Sequence, residues 1–220
     1  MSTNQPPVVV KPAKKRAIVY VDGFNLYYGS VKDTRYKWLN LQRYFELLRW
    51  DDDVVLIHYF TALIQGSHAT DQKTYLNALA TLPKVNVIQG NYKTKWAKCR
   101  VTGCSHSGDR NFMAWEEKRT DVNIAVQMID DAYQDACDVF VVVSGDSDLV
   151  PPLYLIKQRF PHKTIVVYVP ARDKIRGAAT EIRNAADKNA TLPQEILRHS
   201  QFPPTLRDGQ GGTITKPPTW

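Results

Sequence analysis

Four aspartates stand where an α/β sheet would bring their side chains together. Asp22 ends one apolar run, and Asp146 and Asp148 directly follow another, residues 139–143. Asp121 opens an amphipathic segment that precedes the second run. Because carboxylates repel one another, a cluster of them at a strand-end crevice needs a cation to hold it together. The pattern predicts magnesium or manganese bound through oxygen ligands, and metal-assisted cleavage of a phosphodiester.

Small and polar residues accompany these acids. Gly23 follows Asp22 and would let the backbone turn sharply and a phosphate or metal approach closely. Asn25 offers an amide that could orient a carboxylate, a water molecule or a phosphate oxygen. Ser144 and the backbone N–H groups after it could bind an anion. The alternative is an ordinary turn, in which Asp148 caps the following helix.

Strand and helix patterns alternate along the chain, and this alternation would position the acids. Apolar runs rich in Val, Ile and Tyr are typical of strands covered on both faces, and they span residues 17–21, 54–61, 85–90, 139–144 and 164–169. Amphipathic segments typical of helices span residues 41–48, 71–82, 121–137, 149–159 and 172–188. The pattern predicts an α/β fold with a mainly parallel sheet of about five strands and helices on both faces.

This topology predicts one shared location for the acids. In parallel sheets, ligands bind beyond the carboxyl ends of the strands, and Asp22 and Asp146 both fall at such ends. Asp121 would join them if its helix begins at the same crevice. The alternative for Asp121 is an ordinary first-turn acid, favoured there by the helix dipole.

Composition sets broader limits. A chain of 220 residues with 43% hydrophobic and 23% charged residues is ordinary for one soluble domain with tails. No apolar run approaches the roughly 18 residues that span a bilayer, and the N-terminus lacks a secretory pattern. Three cysteines are too few for a disulfide scaffold and fit a reducing compartment. We therefore expect a cytoplasmic protein without a membrane partner.

Both ends of the chain are expected to be flexible. Residues 1–15 and 203–220 are rich in Pro, Gly, Thr and Gln and lack periodicity, so they would flank one domain over residues 16–202. The formal net charge is +7, and the N-terminal tail is basic. That tail is either simply solvated or loosely attracted to a polyanion, which requires no fixed geometry.

A segment between the third and fourth predicted strands contains potential zinc ligands. Cys99, Cys104 and His106 have a spacing that a structural zinc site could use, and Gly103 would allow the turn between them. A fourth ligand is not evident nearby in the sequence. Reduced thiols without a metal are therefore the alternative, and the spacing leaves both open.

The same segment is also basic and aromatic. Lys95, Trp96 and Arg100 would suit single-stranded RNA, because unpaired bases stack on aromatic rings while basic side chains contact the phosphates. The alternative is a solvated surface hairpin with Trp96 packed into the core. Because the segment precedes Asp121 in the chain, it could form a wall of the crevice.

Three motifs in the chain resemble those of a known family. They are residues 20–26 (YVDGFNL), 117–122 (EKRTDV) and 143–151 (VSGDSDLVP). In order and spacing they are similar to the motifs of the NYN domain family, in its bacterial LabA-like branch, within the PIN-like ribonuclease superfamily. The resemblance extends from about residue 16 to residue 203. It implies a three-layer α/β/α sandwich and divalent-metal-dependent hydrolysis of RNA, most readily single-stranded and endonucleolytic.

The resemblance also implies roles for individual residues. It assigns an acidic site for Mg²⁺ or Mn²⁺ to Asp22, Asp121 and Asp146. It assigns catalytic roles to these three acids, to Asn25 as their polar partner and to Asp148 as a supporting acid. Lys118 would contact the scissile phosphate or remain solvated. One position departs from the pattern, because Arg119 stands where the family commonly has glycine.

Other functions compete with RNA cleavage. One is a catalytically idle RNA-binding or regulatory interaction module on the same fold. Another is phosphoryl chemistry on small molecules, but a dehalogenase-type phosphatase expects an acid where this chain has Phe24. No glycine-rich phosphate loop ending in Lys-Ser or Lys-Thr is present either. The RNA substrate, its sequence preference and homo-oligomer formation stay open.

Overall fold

The structure is a computed structural model that describes residues 13–172 and 179–220. The strands are β1 (Arg16–Asp22), β2 (Asp53–Thr61), β3 (Val85–Gln89), β4 (Asn91–Lys98), β5 (Asn111–Lys118), β6 (Val139–Val143), β7 (Thr164–Val169), β8 (Lys188–Thr191), β9 (Thr205–Arg207) and β10 (Thr213–Thr215). The α-helices of the described residues are α1 (Gly23–Leu26), α2 (Leu41–Leu48), α3 (Ala69–Leu79), α4 (Thr120–Tyr133), α5 (Val150–Arg159) and α6 (Thr180–Ala185).

One six-stranded parallel sheet organises the molecule. Its strand order is β3-β2-β1-β6-β7-β8, and every neighbouring pair is parallel. The chain builds outward from β1 in one direction and, after returning to β6, builds outward in the other. The crevice beyond the carboxyl ends of β1 and β6 is therefore the topological switch point, where such sheets bind their ligands.

The predicted parallel sheet is confirmed, with one strand more than expected. The five predicted strands form β1, β2, β3, β6 and β7. The sixth, β8, is a short edge strand whose residues are all exposed. It lacks the apolar run that marks a buried strand, so the hydrophobic pattern contains no signal for it.

Two hydrophobic cores lie on opposite faces of the sheet, as alternation along β1 requires. Val19 and Val21 belong to the core covered by α2 and α3. Ile18 and Tyr20 belong to the core covered by α4, α5 and α6. This arrangement confirms the α/β/α sandwich. By the same alternation, Asp22 at the end of β1 belongs to the α4 face.

Helix boundaries differ modestly from those predicted. Helix α2 has the predicted bounds, whereas α3 spans Ala69–Leu79 and so begins and ends earlier than the predicted residues 71–82. Most of the segment between residues 172 and 179, part of a predicted helix, lies outside the described residues. Beyond it, α6 ends at Ala185 and the chain continues into β8.

The C-terminal segment contains regular structure where a flexible tail was expected. Strands β9 and β10 pair as an antiparallel hairpin. Beyond them, the Trp220 ring lies 6.2 Å from the Trp38 ring and 5.5 Å from the Tyr75 ring, measured between centroids. The Gly and Pro residues here supply turns between short elements, so the composition that predicted flexibility reflects tight chain reversal. Most of the predicted N-terminal tail lies outside the described residues.

Among the residues that the structure describes, no helix is long and apolar enough to cross a membrane.

Gly29 provides a test of how closely the segment after β1 packs on the sheet. A Cβ atom at this position, in the π-helix Tyr27–Val31, would lie 2.1 Å from the backbone oxygen of Pro170. Because backbone cannot move aside cheaply, we expect Gly29→Ala to lower the free energy of unfolding by about 1–3 kcal/mol. Urea denaturation measures the change. Gly209→Ala is the control, since nothing lies within 4 Å of its added Cβ; equal effects of the two substitutions would contradict the close packing.

Candidate active site

The carboxylate of Asp22 is buried at the carboxyl end of β1 and is held by three side-chain or backbone donors. Its Oδ1 accepts a hydrogen bond from the Asn25 backbone N–H at 2.9 Å. Its Oδ2 accepts from Asn25 Nδ2 at 2.5 Å and from Ser144 Oγ at 3.0 Å. Asp22 thereby caps α1, and its side chain has one fixed orientation.

Asn25 and Ser144 join the end of β1 to the end of β6. Asn25 Oδ1 accepts from the Gly145 N–H at 3.2 Å, and Ser144 Oγ accepts from the Asp146 N–H at 3.1 Å. Ser144 is fully buried, and its hydroxyl group both donates to Asp22 and accepts from Asp146. The sequence predicted a substrate contact for Ser144; the structure instead shows it positioning Asp22 and Asp146.

Asp146 and Asp148 lie just beyond β6. Asp146 caps the short 3₁₀ turn Ser147–Leu149 by accepting from the Asp148 N–H at 3.0 Å. The alternative prediction, in which Asp148 caps the following helix, is therefore wrong, because the N-cap of α5 is Leu149. Asp146 is partly exposed and Asp148 is exposed, so both carboxylates border the crevice.

Asp121 lies in the first turn of α4, which packs on β1 and β2. The helix start is set by two neighbours that the site prediction did not include. Glu117 accepts hydrogen bonds from the backbone N–H of Thr120, at 3.2 Å, and from its hydroxyl group. Arg119 has φ 81°, in the left-handed region that glycine adopts most easily. The sequence signal for this contact was Glu117, an acid three residues before Thr120, at which α4 begins.

Electrostatics shows that the acids converge. Burial, followed by the negative charges of Asp22 and Asp146, raises the pKa of Asp121 to about 6. Burial also raises the pKa of Asp22, with a smaller contribution from Asp146, while hydrogen bonds from Asn25 and Ser144 oppose that shift. The structure thus places the three predicted acids close enough to repel one another at one rim of the sheet.

The acids do not form a preassembled cage. Across residues 13–172 and 179–220, no group of three or more His, Cys, Asp or Glu side chains is arranged to hold a metal ion. The finding also applies to the predicted zinc ligands Cys99, Cys104 and His106. The thiol of Cys104 does interact with that of Cys99, and together with the backbone of Val101, the larger cause, it lowers the pKa of Cys99.

The predicted RNA-binding residues lie on a hairpin that β4 and β5 form beside the main sheet. Trp96 is 73% exposed, so the alternative in which it packs into the core is wrong. Met113 lies directly across from Trp96, and the exposed Trp115 is next on the same face. Arg100 is exposed in the loop after β4.

Lys95 and Lys118 lie on the other face of the hairpin. Both pair with Glu116, Lys95 at 2.6 Å and Lys118 at 3.1 Å. Tyr92, near the hairpin base, meets the Phe24 ring edge-on at 6.0 Å between centroids. The hairpin base is thereby joined to helix α1, which follows Asp22.

Comparison with known proteins agrees with this fold. The NYN domain family model matches residues 16–193, and the chain belongs to that family, whose fold is PIN-like and nuclease-like. A curated relative, 6-hydroxy-3-succinoylpyridine 3-monooxygenase HspA of Pseudomonas putida (strain DSM 28022 / S16), is 31% identical over 237 residues, covering 93% of this chain and 75% of the relative. A solved structure, a protein of unknown function from Vibrio parahaemolyticus RIMD 2210633, superposes with a TM-score of 0.55 and 20% identity over 85% of this chain and 98% of that chain. It is similar in fold.

The raised pKa of Asp121 predicts a pH dependence of stability. Between its ordinary value of 3.8 and about 6, the folded protein holds a proton that the unfolded chain releases. Stability should therefore fall as pH rises through this window in metal-free buffer, and the loss should persist above it. In Asp121→Asn that loss should be absent, so the variant gains stability relative to the parent from pH 4 to pH 7.

Urea denaturation in the presence of EDTA, at several pH values, measures this difference. Asp130→Asn, at an exposed position later in α4, is the matched control. A difference between Asp121→Asn and the parent that is the same at pH 4 and pH 7 would contradict the electrostatic convergence of the acids.

Proposed function

We propose that this protein is a divalent-metal-dependent ribonuclease that hydrolyses single-stranded RNA internally. The observation that carries the proposal is the convergence of Asp22, Asp121 and Asp146 at the switch point of the sheet, where the charges of Asp22 and Asp146 add to burial in raising the pKa of Asp121. A carboxyl group whose pKa is raised by burial and by neighbouring carboxylates beside a crevice is typical of sites that bind a cation or move protons. Membership in the NYN family, with its nuclease-like fold, favours phosphodiester cleavage among these possibilities.

The donor chemistry of the site fits Mg²⁺ or Mn²⁺. Its ligands would be carboxylate oxygens, which these hard cations prefer. When bound, such an ion lowers the pKa of a water molecule and neutralises charge on the reacting phosphate. Asp22 is oriented in advance by Asn25 and Ser144, whereas Asp121 and Asp146 lie on separate elements and would complete the ligand set.

The protein groups around the acids would orient the metal ligands and strengthen the attraction for the cation. Asn25 and Ser144 keep the Asp22 carboxylate facing the α4 side and leave it little freedom to rotate. Asp148 adds negative charge at the rim and would strengthen attraction for a cation. Because no three-ligand group is preformed in the described residues, Asp121 or Asp146 would have to adjust its side chain when the ion binds.

The hairpin of β4 and β5 supports single-stranded RNA as the substrate. It carries exposed Trp96 and Trp115 on one face and Lys95 and Lys118 on the other. At about 3.3 Å per residue, Trp96 lies roughly 17 Å along the strand from Asn91 at the base. That length would accommodate several nucleotides, with bases stacked along the face that carries Trp96 and Trp115.

The relative from Pseudomonas putida supports a second candidate function. Its printed name describes a monooxygenase acting on a substituted pyridine, and the similarity spans 93% of this chain. Oxygenation of a small aromatic compound by this protein would need a reductant and oxygen. Oxygen uptake in the presence of a pyridine compound and a nicotinamide reductant, without RNA cleavage, would favour this candidate over the ribonuclease. The three free cysteines suit a reducing compartment such as the cytoplasm for either function.

Replacing Asp146 tests the ribonuclease. Asp146→Asn keeps a side chain that can cap the 3₁₀ turn, so the fold should remain while a metal ligand is lost. We expect Mn²⁺-dependent cleavage of a labelled single-stranded RNA to fall by about 100-fold or more. The stabilisation of the protein by added Mn²⁺, measured as the shift in Tm, should fall in parallel.

Asp130→Asn again serves as the control, because it removes an exposed carboxylate away from the crevice. Cleavage by Asp146→Asn at the parent rate in highly purified protein would refute the assignment. RNA binding by the parent without cleavage at any Mn²⁺ or Mg²⁺ concentration would instead support an idle RNA-binding module.

Replacing Trp96 tests the hairpin as an RNA-binding surface. Trp96→Ala removes one stacking ring and should weaken binding of a single-stranded RNA of about 12 nucleotides by roughly 5- to 150-fold, which corresponds to about 1–3 kcal/mol. Fluorescence anisotropy in EDTA measures binding without turnover. Trp50→Ala is a matched control, because Trp50 is also 73% exposed but precedes β2 at the other end of the sheet. Equal weakening by the two substitutions would remove the hairpin from the RNA-binding surface.

A further inference from the structure

A cavity of about 430 Å³ lies on the face of the sheet opposite the acids. Its volume falls within the range of small-molecule binding sites. Its walls come from α1, the π-helix Tyr27–Val31, the end of β2, α3 and residues 219–220. Gly23, which directly follows Asp22, lines the cavity, so the two sites are adjacent along the chain.

Aromatic rings form much of the cavity wall. Tyr59 and Tyr75 meet at right angles with centroids 6.2 Å apart, and Trp220 lies 5.5 Å from Tyr75. Near the mouth, Tyr27 and Tyr28 meet edge-on at 5.1 Å. Such walls favour a planar ring, which can stack on one face and present its edge to another.

The polar groups deep in the cavity are already paired with protein groups. The Gln72 amide donates to the Ala62 carbonyl at 2.9 Å and accepts from the Ile64 N–H at 2.8 Å. The Tyr75 hydroxyl donates to the Leu39 carbonyl at 2.8 Å. A ligand would therefore find few unsatisfied polar partners inside, so an apolar ring fits the interior better than a polar group.

The lining is more basic than acidic. Lys32, Lys37 and His68 line the cavity against one acid, Asp33. Lys32 Nζ lies 5.2 Å from the centre of the Tyr28 ring. Within the part of the chain that the structure describes, neither Lys32 nor Lys37 forms an ion pair. Two lysines without acidic partners favour an anionic group on the ligand.

We propose that this aromatic cavity binds a small molecule consisting of a planar aromatic ring and a carboxylate or phosphate group. The ring occupies the space between the tyrosines and Trp220, and the anionic group contacts Lys32 and Lys37. Aromatic acids and nucleotides share this chemistry. The proposal does not depend on the acids at the switch point, because the two sites lie on opposite faces of the sheet.

Isothermal titration of the full chain in EDTA tests the proposal and keeps divalent metal away from the acidic site. The probes are naphthalene-2-carboxylate, its neutral carboxamide and adenosine monophosphate. The carboxylate is expected to bind with one-to-one stoichiometry and about tenfold more tightly than the carboxamide, as one charge-assisted contact would give. Tighter binding of the nucleotide than of the naphthoate would identify nucleotides as the source of the ligand, and the reverse would identify aromatic acids.

Variants locate the binding within the cavity. Combining Lys32→Met with Lys37→Met should reduce binding of the carboxylate to that of the carboxamide, while Tyr28→Ala should weaken both probes. Lys73→Met, at an exposed position on α3 that does not line the cavity, should change neither. Circular dichroism confirms that each variant is folded. The proposal is overturned if no aromatic probe binds, or if the double lysine variant leaves the preference for the carboxylate intact.

Discussion

A single carboxylate joins the two halves of the sheet where its topology reverses. Asp22 ends β1, and Ser144, which donates to it, ends the run that forms β6. Asn25 completes the connection by donating to Asp22 and accepting from Gly145. A buried carboxylate is tolerated only when it is hydrogen-bonded, so these donors both stabilise Asp22 and fix the geometry of the crevice.

The second constraint is the start of α4, which brings Asp121 to the same rim. The chain leaves the β4–β5 hairpin through Arg119 in a left-handed conformation, and Glu117 holds Thr120 at the first turn. Arginine adopts this conformation less readily than glycine, so the local contacts must maintain it. Burial of Asp121 at this rim, followed by its approach to Asp22 and Asp146, disfavours its ionised form and raises its pKa.

The segment formed by the end of β1 and helix α1 contributes to both faces of the sheet. On the α4 face it contributes Asp22 to the acidic rim, and on the other face Gly23 and Phe24 line the aromatic cavity. Phe24 also contacts Tyr92 at the base of the hairpin. This segment is therefore the physical connection among the crevice, the hairpin and the cavity.

The local sequence pattern was sufficient to predict much of the central sheet and the location of the acids. Apolar runs predicted five of the six strands of the parallel sheet. The acids at the ends of β1 and β6 could be placed at one edge of this sheet because parallel strands share a direction. Tertiary structure alone decided the rest. Edge strand β8 and the cavity have no periodic signal, because one is solvent-exposed and the other is assembled from distant segments, including Trp220. Likewise, only the packing of the layers determined that Ser144 is buried, where it positions Asp22, and that Trp96 is exposed. The contacts of a side chain depend on residues that are distant in the sequence.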